Sequence, residues 1–255
     1  MSTSISEALP PLDCHAHIAP DVTQAQLDAL GDATIFSVTR SISESSTVAD
    51  REDHCLVWGC GVHPGVAAAR SAYDESAFRA LVGRFALVGE VGLDRRAGAL
   101  DEQIRIFRSV LASVANEPVI ISVHSAGCSD EVVDLVKEAP HPGVVLHWFL
   151  GDSDNARRAA DIGCYFSVNS GIPDEVLQRL PTDRLLPETD FPATSRRGVR
   201  APGDISKLEA RLASLRGETI EQTRWRWYRN LRALAVACGA IERLPEHLAD
   251  RLLAT

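Results

Sequence analysis

Two histidines, His15 and His17, stand one residue apart in the stretch PLDCHAHIAP at residues 11–20. On a β-strand, residues i and i+2 face the same way, so both imidazoles would address one point. Four further donors close or follow apolar runs downstream: Glu90 in VGEVGLD, His124 in PVIISVH, His147 in VVLHWF and Asp190 in RLLPETD. Taken singly, each has a plain explanation, such as a paired core carboxylate or a hydrogen-bonded histidine. Gathered on one rim, they would be costly to bury without a compensating cation. Four imidazoles and two carboxylates with no thiolate suit a divalent ion of the Zn, Mn, Ni or Co type, with Mg less comfortable among so many nitrogens. The set exceeds what one catalytic zinc with an open position takes. It therefore predicts two divalent ions, with Glu90, central in strand order, as the bridge. Such a pair can hold both oxygens of an in-line displacement. Asp190, at the metal edge, would accept or steer the proton of the attacking water.

These donors must be positioned by strands. Eight β-like runs recur along the chain: PLDCHAHI, ATIFSVT, CLVWGCGVH, ALVGEVGL, PVIISVH, VVLHWF, CYFSV and RLLPETD. Helix-compatible segments separate most of them. ALDEQIRIFRSVLASVANE carries Ile104, Phe107, Val110, Leu111 and Val114 at helical spacing. YDESAFRALVGRF offers Asp74 as an N-cap, and NARRAADIG ends at Gly163 like a helix stop. The polar stretch SISESSTVADRED after the second run fits no element clearly. Strand–helix alternation predicts a parallel sheet, and eight strands in about 250 residues predict a (β/α)8 TIM-type barrel. The alternative is an open doubly wound sheet, but no GxGxxG follows the first strand. The expected organisation is one domain over residues 1–255, with the barrel at about 11–200 and additional helices at about 203–255. In those helices Trp225, Trp227 and Tyr228 read as packing residues rather than a base-stacking platform. The metal-binding donors would all fall at the carboxyl ends of their strands, where barrel enzymes build their sites.

Composition narrows the function. The net charge of −9 opposes non-specific binding along duplex DNA, which needs a basic surface. It leaves room for a nucleic acid end held by metals and a few arginines. Arg196, Arg197 and Arg200 follow Asp190 on the same rim and could take phosphate. The six cysteines form no CxxC pair and read as reduced thiols of a cytoplasmic protein. No apolar run is long enough to cross a bilayer, and MSTSISEALP has neither the basic start nor the apolar centre of a signal peptide.

The stretches DCHAH, GVHP at 61–64, GEVGLD at 89–94, VIISVHS, VVLHWFLG, CYFSVNSGI and LLPETDFP occur in that order over residues 11 to about 194. In this the chain resembles the TatD family of metal-dependent deoxyribonucleases, within the amidohydrolase-like barrels. The resemblance implies one ion held by His15, His17, Glu90 and Asp190, and a second held by Glu90, His124 and His147. It implies that His63 contacts a substrate phosphate and that Asp94 orients a ligand; Glu188, in the same ETD motif as Asp190, is assigned a similar role. The substrate-facing motifs depart from the family pattern. A histidine common after GVHP is Gly65 here, HSRDA has become HSAGC, and HCFSG has become HWFLG. The HWF and FSV wording is also similar to a divergent group found in bacterial antiviral gene clusters, which would make subunits of a defence complex possible partners.

The expected activity is hydrolysis of DNA phosphodiesters, near a free end or in a single strand. A rival is C–N or ester hydrolysis. Related barrels that perform it bridge their metals with a modified lysine, whereas here no lysine precedes Lys137 and Glu90 takes the bridge position. A second rival is a non-catalytic barrel subunit of a larger assembly, favoured by the altered substrate motifs and opposed by the complete ligand set.

Overall fold

The computed structural model describes residues 8–255. Eight parallel strands follow one another in space in the order of the chain: β1 (Leu12–His17), β2 (Thr34–Val38), β3 (Leu56–Cys60), β4 (Leu87–Asp94), β5 (Ile120–Ala126), β6 (Val144–Leu146), β7 (Tyr165–Val168) and β8 (Leu185–Pro187). Unbroken order with helical returns is what a right-handed β/α barrel requires. The last strand meets the first through backbone hydrogen bonds just beyond β8, Asp190 N–H to His15 O at 2.8 Å and His17 N–H to Phe191 O at 2.9 Å. The result is the expected (β/α)8 TIM-type barrel.

The strands are continuous apolar runs because both faces are covered. Leu12, Ile35, Leu87, Ile121, Val144, Phe166 and Leu185 are all fully buried. Outside them packs the helix Leu100–Val114, which buries Ile106, Phe107, Val110, Leu111 and Val114. Its periodic face is the one expected, except that Ile106 goes inward and Ile104 is only partly covered. Asp74 caps Glu75–Val82 by accepting from Ala77 N–H at 2.7 Å. The helix before Gly163 starts earlier than its sequence suggests, at Ser153, because Asp152 caps it through Asn155 N–H.

The unassigned segment after β2 is a helix, Ile42–Val48, with Ser41 accepting from Glu44 N–H. Its hydroxyls point back along it: Ser45, Ser46 and Thr47 each donate to the carbonyl four residues earlier. Serine and threonine offer the backbone alternatives to a helix, so propensity could not announce it.

The C-terminal helices are Ser206–Arg216, Ile220–Ala237 and Glu246–Leu253. Ile220–Ala237 packs on both β8 and β1, with the Asn230 amide donating to Leu185 O and Tyr228 Oη to Thr34 Oγ1. Trp227 and Tyr228 are fully buried, as expected of packing residues. Trp225 departs from that expectation: it is 47% exposed, with the Arg229 guanidinium over its ring. One turn of helix holds 3.6 residues, so a neighbour two positions from Trp227 faces away from the barrel. All six cysteines are free and buried. Among the described residues no helix is long and apolar enough to cross a membrane.

Candidate metal centre

Two β-bulges place the ligands. The β1–β2 register slips between Asp13 and Ala16, and the β4–β5 register slips between Val88 and Val91. Each inserts one extra residue, and a bulge bends its strand and re-aims side chains. His15 lies inside the first slip and Glu90 inside the second. Both turn into the barrel mouth, where the strands' carboxyl ends also deliver His124 and His147.

Glu90 is at the centre and its two oxygens face different partners. Oε1 lies 2.5 Å from His124 Nδ1 and 2.8 Å from His147 Nε2, and those two nitrogens are 2.9 Å apart. Oε2 lies 3.0 Å from His17 Nε2, 3.2 Å from His63 Nε2 and 3.6 Å from His15 Nε2. Asp190 Oδ1 completes the second side at 3.9 Å from His15 Nε2 and 3.8 Å from His17 Nε2. The six expected ligands come together as two adjoining groups, His15, His17 and Asp190 in one and Glu90, His124 and His147 in the other, with Glu90 Oε2 facing the first. Burial alone would raise Glu90, but His147, His124 and His63 outweigh it and hold the carboxyl well below its ordinary range. Burial pushes His15 down to about 3 and Asp190 up to about 7.

The donors fit two divalent ions. His15 Nε2 and Glu90 Oε2 are buried without a hydrogen-bond partner although both point into the cluster. Orphaned groups of this kind call for an explanation, and a cation supplies one. Each cluster is compact enough for an ion with bonds of about 2.0–2.2 Å to reach its nitrogen and oxygen donors.

Neighbouring side chains hold the imidazoles. His15 Nδ1 pairs with Ser122 Oγ at 2.7 Å, leaving Nε2 for the cluster. Asp94 Oδ2 stands 3.6 Å from His124 Nε2, and Glu188 Oε2 stands 3.8 Å from His147 Nδ1. Glu188 is itself fixed by Trp148 N–H, the Asn169 amide and Ser167 Oγ. Partners on the far nitrogen of a ligating histidine set its tautomer and orientation. His63 has the opposite arrangement. Gly65 N–H donates to its Nδ1 at 2.8 Å, so the neutral ring carries its proton on Nε2, aimed at the cluster. Glycine at 65 permits this, since a Cβ there would lie 2.9 Å from His63 Cε1.

Sequence reasoning missed Asp13. It is fully buried and accepts four hydrogen bonds: His15 and Thr189 N–H at Oδ1, Thr189 Oγ1–H and Gly203 N–H at Oδ2. Burial pushes its carboxyl up to about 6 against those donors. Its place beside HxH in DCHAH was the available signal. Asp190 and Trp148 take left-handed backbone, at φ 47° and 37°. Such conformations persist where the surroundings over-determine them. Here His15 O holds the Asp190 N–H and Glu188 holds the Trp148 N–H.

A cavity of about 560 Å³ opens onto the cluster, lined by His17, His63, Arg96, Ser125, Trp148 and Leu150 among others. The arginine at this mouth is Arg96, another residue not singled out in the sequence. Arg197 instead donates to Gly171 O at 2.6 Å and lies over the Trp148 ring. Arg200 pairs with Asp204, and Arg196 is exposed on the turn Ser195–Arg197.

The sequence profile of the family described as TatD related DNase matches residues 12–235. The uncharacterized metal-dependent hydrolase YabD of Bacillus subtilis is 32% identical over 152 residues, which are 53% of this chain and 59% of that protein. The 3'-5' ssDNA/RNA exonuclease TatD of Salmonella typhimurium is 30% identical over 196 residues, covering 67% of this chain and 74% of the relative. The crystal structure of the TatD homolog YjjV from Escherichia coli superposes with a TM-score of 0.73 at 20% identity, covering 87% of this chain and 97% of that one, a likeness of fold. Profile, relatives and the shared-carboxylate cluster agree: the chain belongs to the TatD related DNase family.

Proposed function

We propose that this chain is a metal-dependent phosphodiesterase that cleaves DNA, in single strands or near a free end. The observation that carries this reading is the division of Glu90, with one oxygen toward His124 and His147 and the other toward His15 and His17. Two divalent ions, when bound, supply Lewis acidity toward a phosphoryl oxygen and lower the pKa of water. The remaining work falls to the chain's own residues. Asp190 accepts the proton that the attacking water gives up as its oxygen bonds to phosphorus, and the ester oxygen departs as the alcohol with a proton from solvent. His63 donates its Nε2 proton to a non-bridging phosphate oxygen. Arg96, at the cavity mouth, takes the next phosphate along the strand with its planar fork of donors. Asp94 and Glu188 keep the imidazoles turned inward.

Names of relatives such as the Salmonella exonuclease support a nucleic acid substrate. The altered substrate motifs favour a different role, as a non-catalytic subunit of a larger assembly, defence complexes included. A reducing compartment such as the cytoplasm suits six free, buried thiols. The deciding experiment is an assay of the metal-loaded chain on single- and double-stranded DNA beside a panel of esters and amides. Metal-dependent cleavage of single strands is expected. Turnover confined to esters or amides, or none at all, would remove the nuclease reading.

A further inference from the structure

Phosphodiester chemistry needs charge and hydrogen-bond donors, yet one wall of the cavity is apolar. Trp148, Leu150, Pro192 and Ala193 line it, and Leu150 is 58% exposed. Trp148 and Leu150 stand in HWFLG, one of the motifs in which this chain departs from the family pattern. Trp148 directly follows His147, and consecutive Cα atoms are about 3.8 Å apart. The cavity that Trp148 lines also takes in Glu90, His124 and Asp190, so the indole and the candidate ligands share one pocket. Two contacts restrain Trp148. The Glu188 carboxylate holds its backbone N–H at 3.0 Å, and the Arg197 guanidinium carbon lies 5.4 Å from the ring centroid. Arg197 is in turn tied to Gly171 O at 2.6 Å. A ring already held in place loses little freedom when a ligand covers it.

Resting on the nuclease reading above, we propose that Trp148 is the stacking platform for the nucleobase next to the scissile phosphate, with Leu150 against the base edge and Arg197 as the residue that positions the indole. A base can lie on this wall only when it has left a duplex stack, so the subsite selects single strands and frayed ends. Stacking on a π-face tolerates any base, so cleavage would depend on the presence of a base and little on its identity.

The test uses the full metal-loaded chain and its Trp148→Ala, Trp148→Phe and Arg197→Ala variants, each checked for unchanged metal content and circular dichroism. The substrates are two single-stranded oligonucleotides, one normal and one with an abasic residue at the scissile position. Binding of dAMP and of deoxyribose 5-phosphate is measured in parallel by equilibrium dialysis. Trp148→Ala is expected to lower kcat/KM on the normal strand by roughly ten- to a hundredfold, mostly through KM. The preference for the normal over the abasic strand should collapse toward one. Trp148→Phe should recover most of the loss, and Arg197→Ala should fall between. An unchanged preference in Trp148→Ala, or a Phe variant as poor as the Ala variant, would overturn the proposal. If the parental chain cleaves neither strand, the nuclease reading fails and the binding arm still decides. Tighter binding of dAMP that depends on Trp148 upholds the subsite, and equal binding of the two ligands overturns it.

Discussion

Glu90 does at one position what no neutral residue can, because each of its oxygens faces a different set of imidazoles. Glu90→Gln keeps the shape but has no charge to share between two cations. It should reduce bound metal from about two ions toward one or none and lower activity by more than about a hundredfold, read by elemental analysis beside a nuclease assay. His63→Ala should keep both metals and lose roughly ten- to a hundredfold in kcat/KM, the scale of one hydrogen bond to a charged group. Equal, mild losses in both variants would show that Glu90 is not the bridge. At the mouth, Arg96→Ala should raise KM with metal content intact, while Arg196→Ala and Arg200→Ala should stay within about twofold, the scale of surface changes. Equal effects from all three would return the phosphate contact to the loop beyond Asp190. The candidate ligands that the fold brings together were legible because each closes or follows an apolar run. Arg96 was not, since nothing in LDRRAG distinguishes it from Arg95, which the fold turns toward Gly127 O and Glu131.

The strands carry their own lesson. Their number and order follow from alternating apolar runs, but the slips at Asp13/Ala16 and Val88/Val91 do not. A bulge is defined by pairing with a neighbour, and pairing is invisible along one chain. The place of Asp13 beside HxH was visible, but its distant donors were not, since Thr189 and Gly203 lie 176 and 190 residues away. Asp13→Asn tests its role in joining β1 to β8. Both carboxylate oxygens accept from backbone N–H groups, so either flip of an amide sets N–H against N–H. The expected cost is about 1–3 kcal/mol, that of a buried donor left unsatisfied, seen as a lower denaturation midpoint with unchanged m. A neutral result would mean that the helix Ile220–Ala237, which packs on both strands, holds the junction unaided.

At the scale of the molecule, the centre ties distant parts together. Its donors come from β1, β4 and β5, from the residue after β6 and from the loop after β8. An ion that binds only the folded chain stabilises it, by about 3–4 kcal/mol at a hundred- to thousandfold excess over Kd. Chelation should therefore lower Tm by on the order of 10 °C, reversibly on adding metal back. An unchanged Tm would show that the barrel does not depend on its ligands for closure. The barrel was legible in the sequence because strand count and length both point to it. The cavity was not, because its apolar wall joins residues at 148–150 with residues at 192–193.

The position of Asp190 also sets an order in time. Glu90, His124 and His147 are all present once residue 147 has left the ribosome, but the cluster of His15, His17 and Asp190 waits for the last strand. Chains are made from the N-terminus, and domains fold as units. Both oxygens of the shared carboxylate thus have their imidazoles in the chain before Asp190 does. A half-made chain lacks Asp190, so the hydrolytic centre matures only after the barrel's final strand has been delivered.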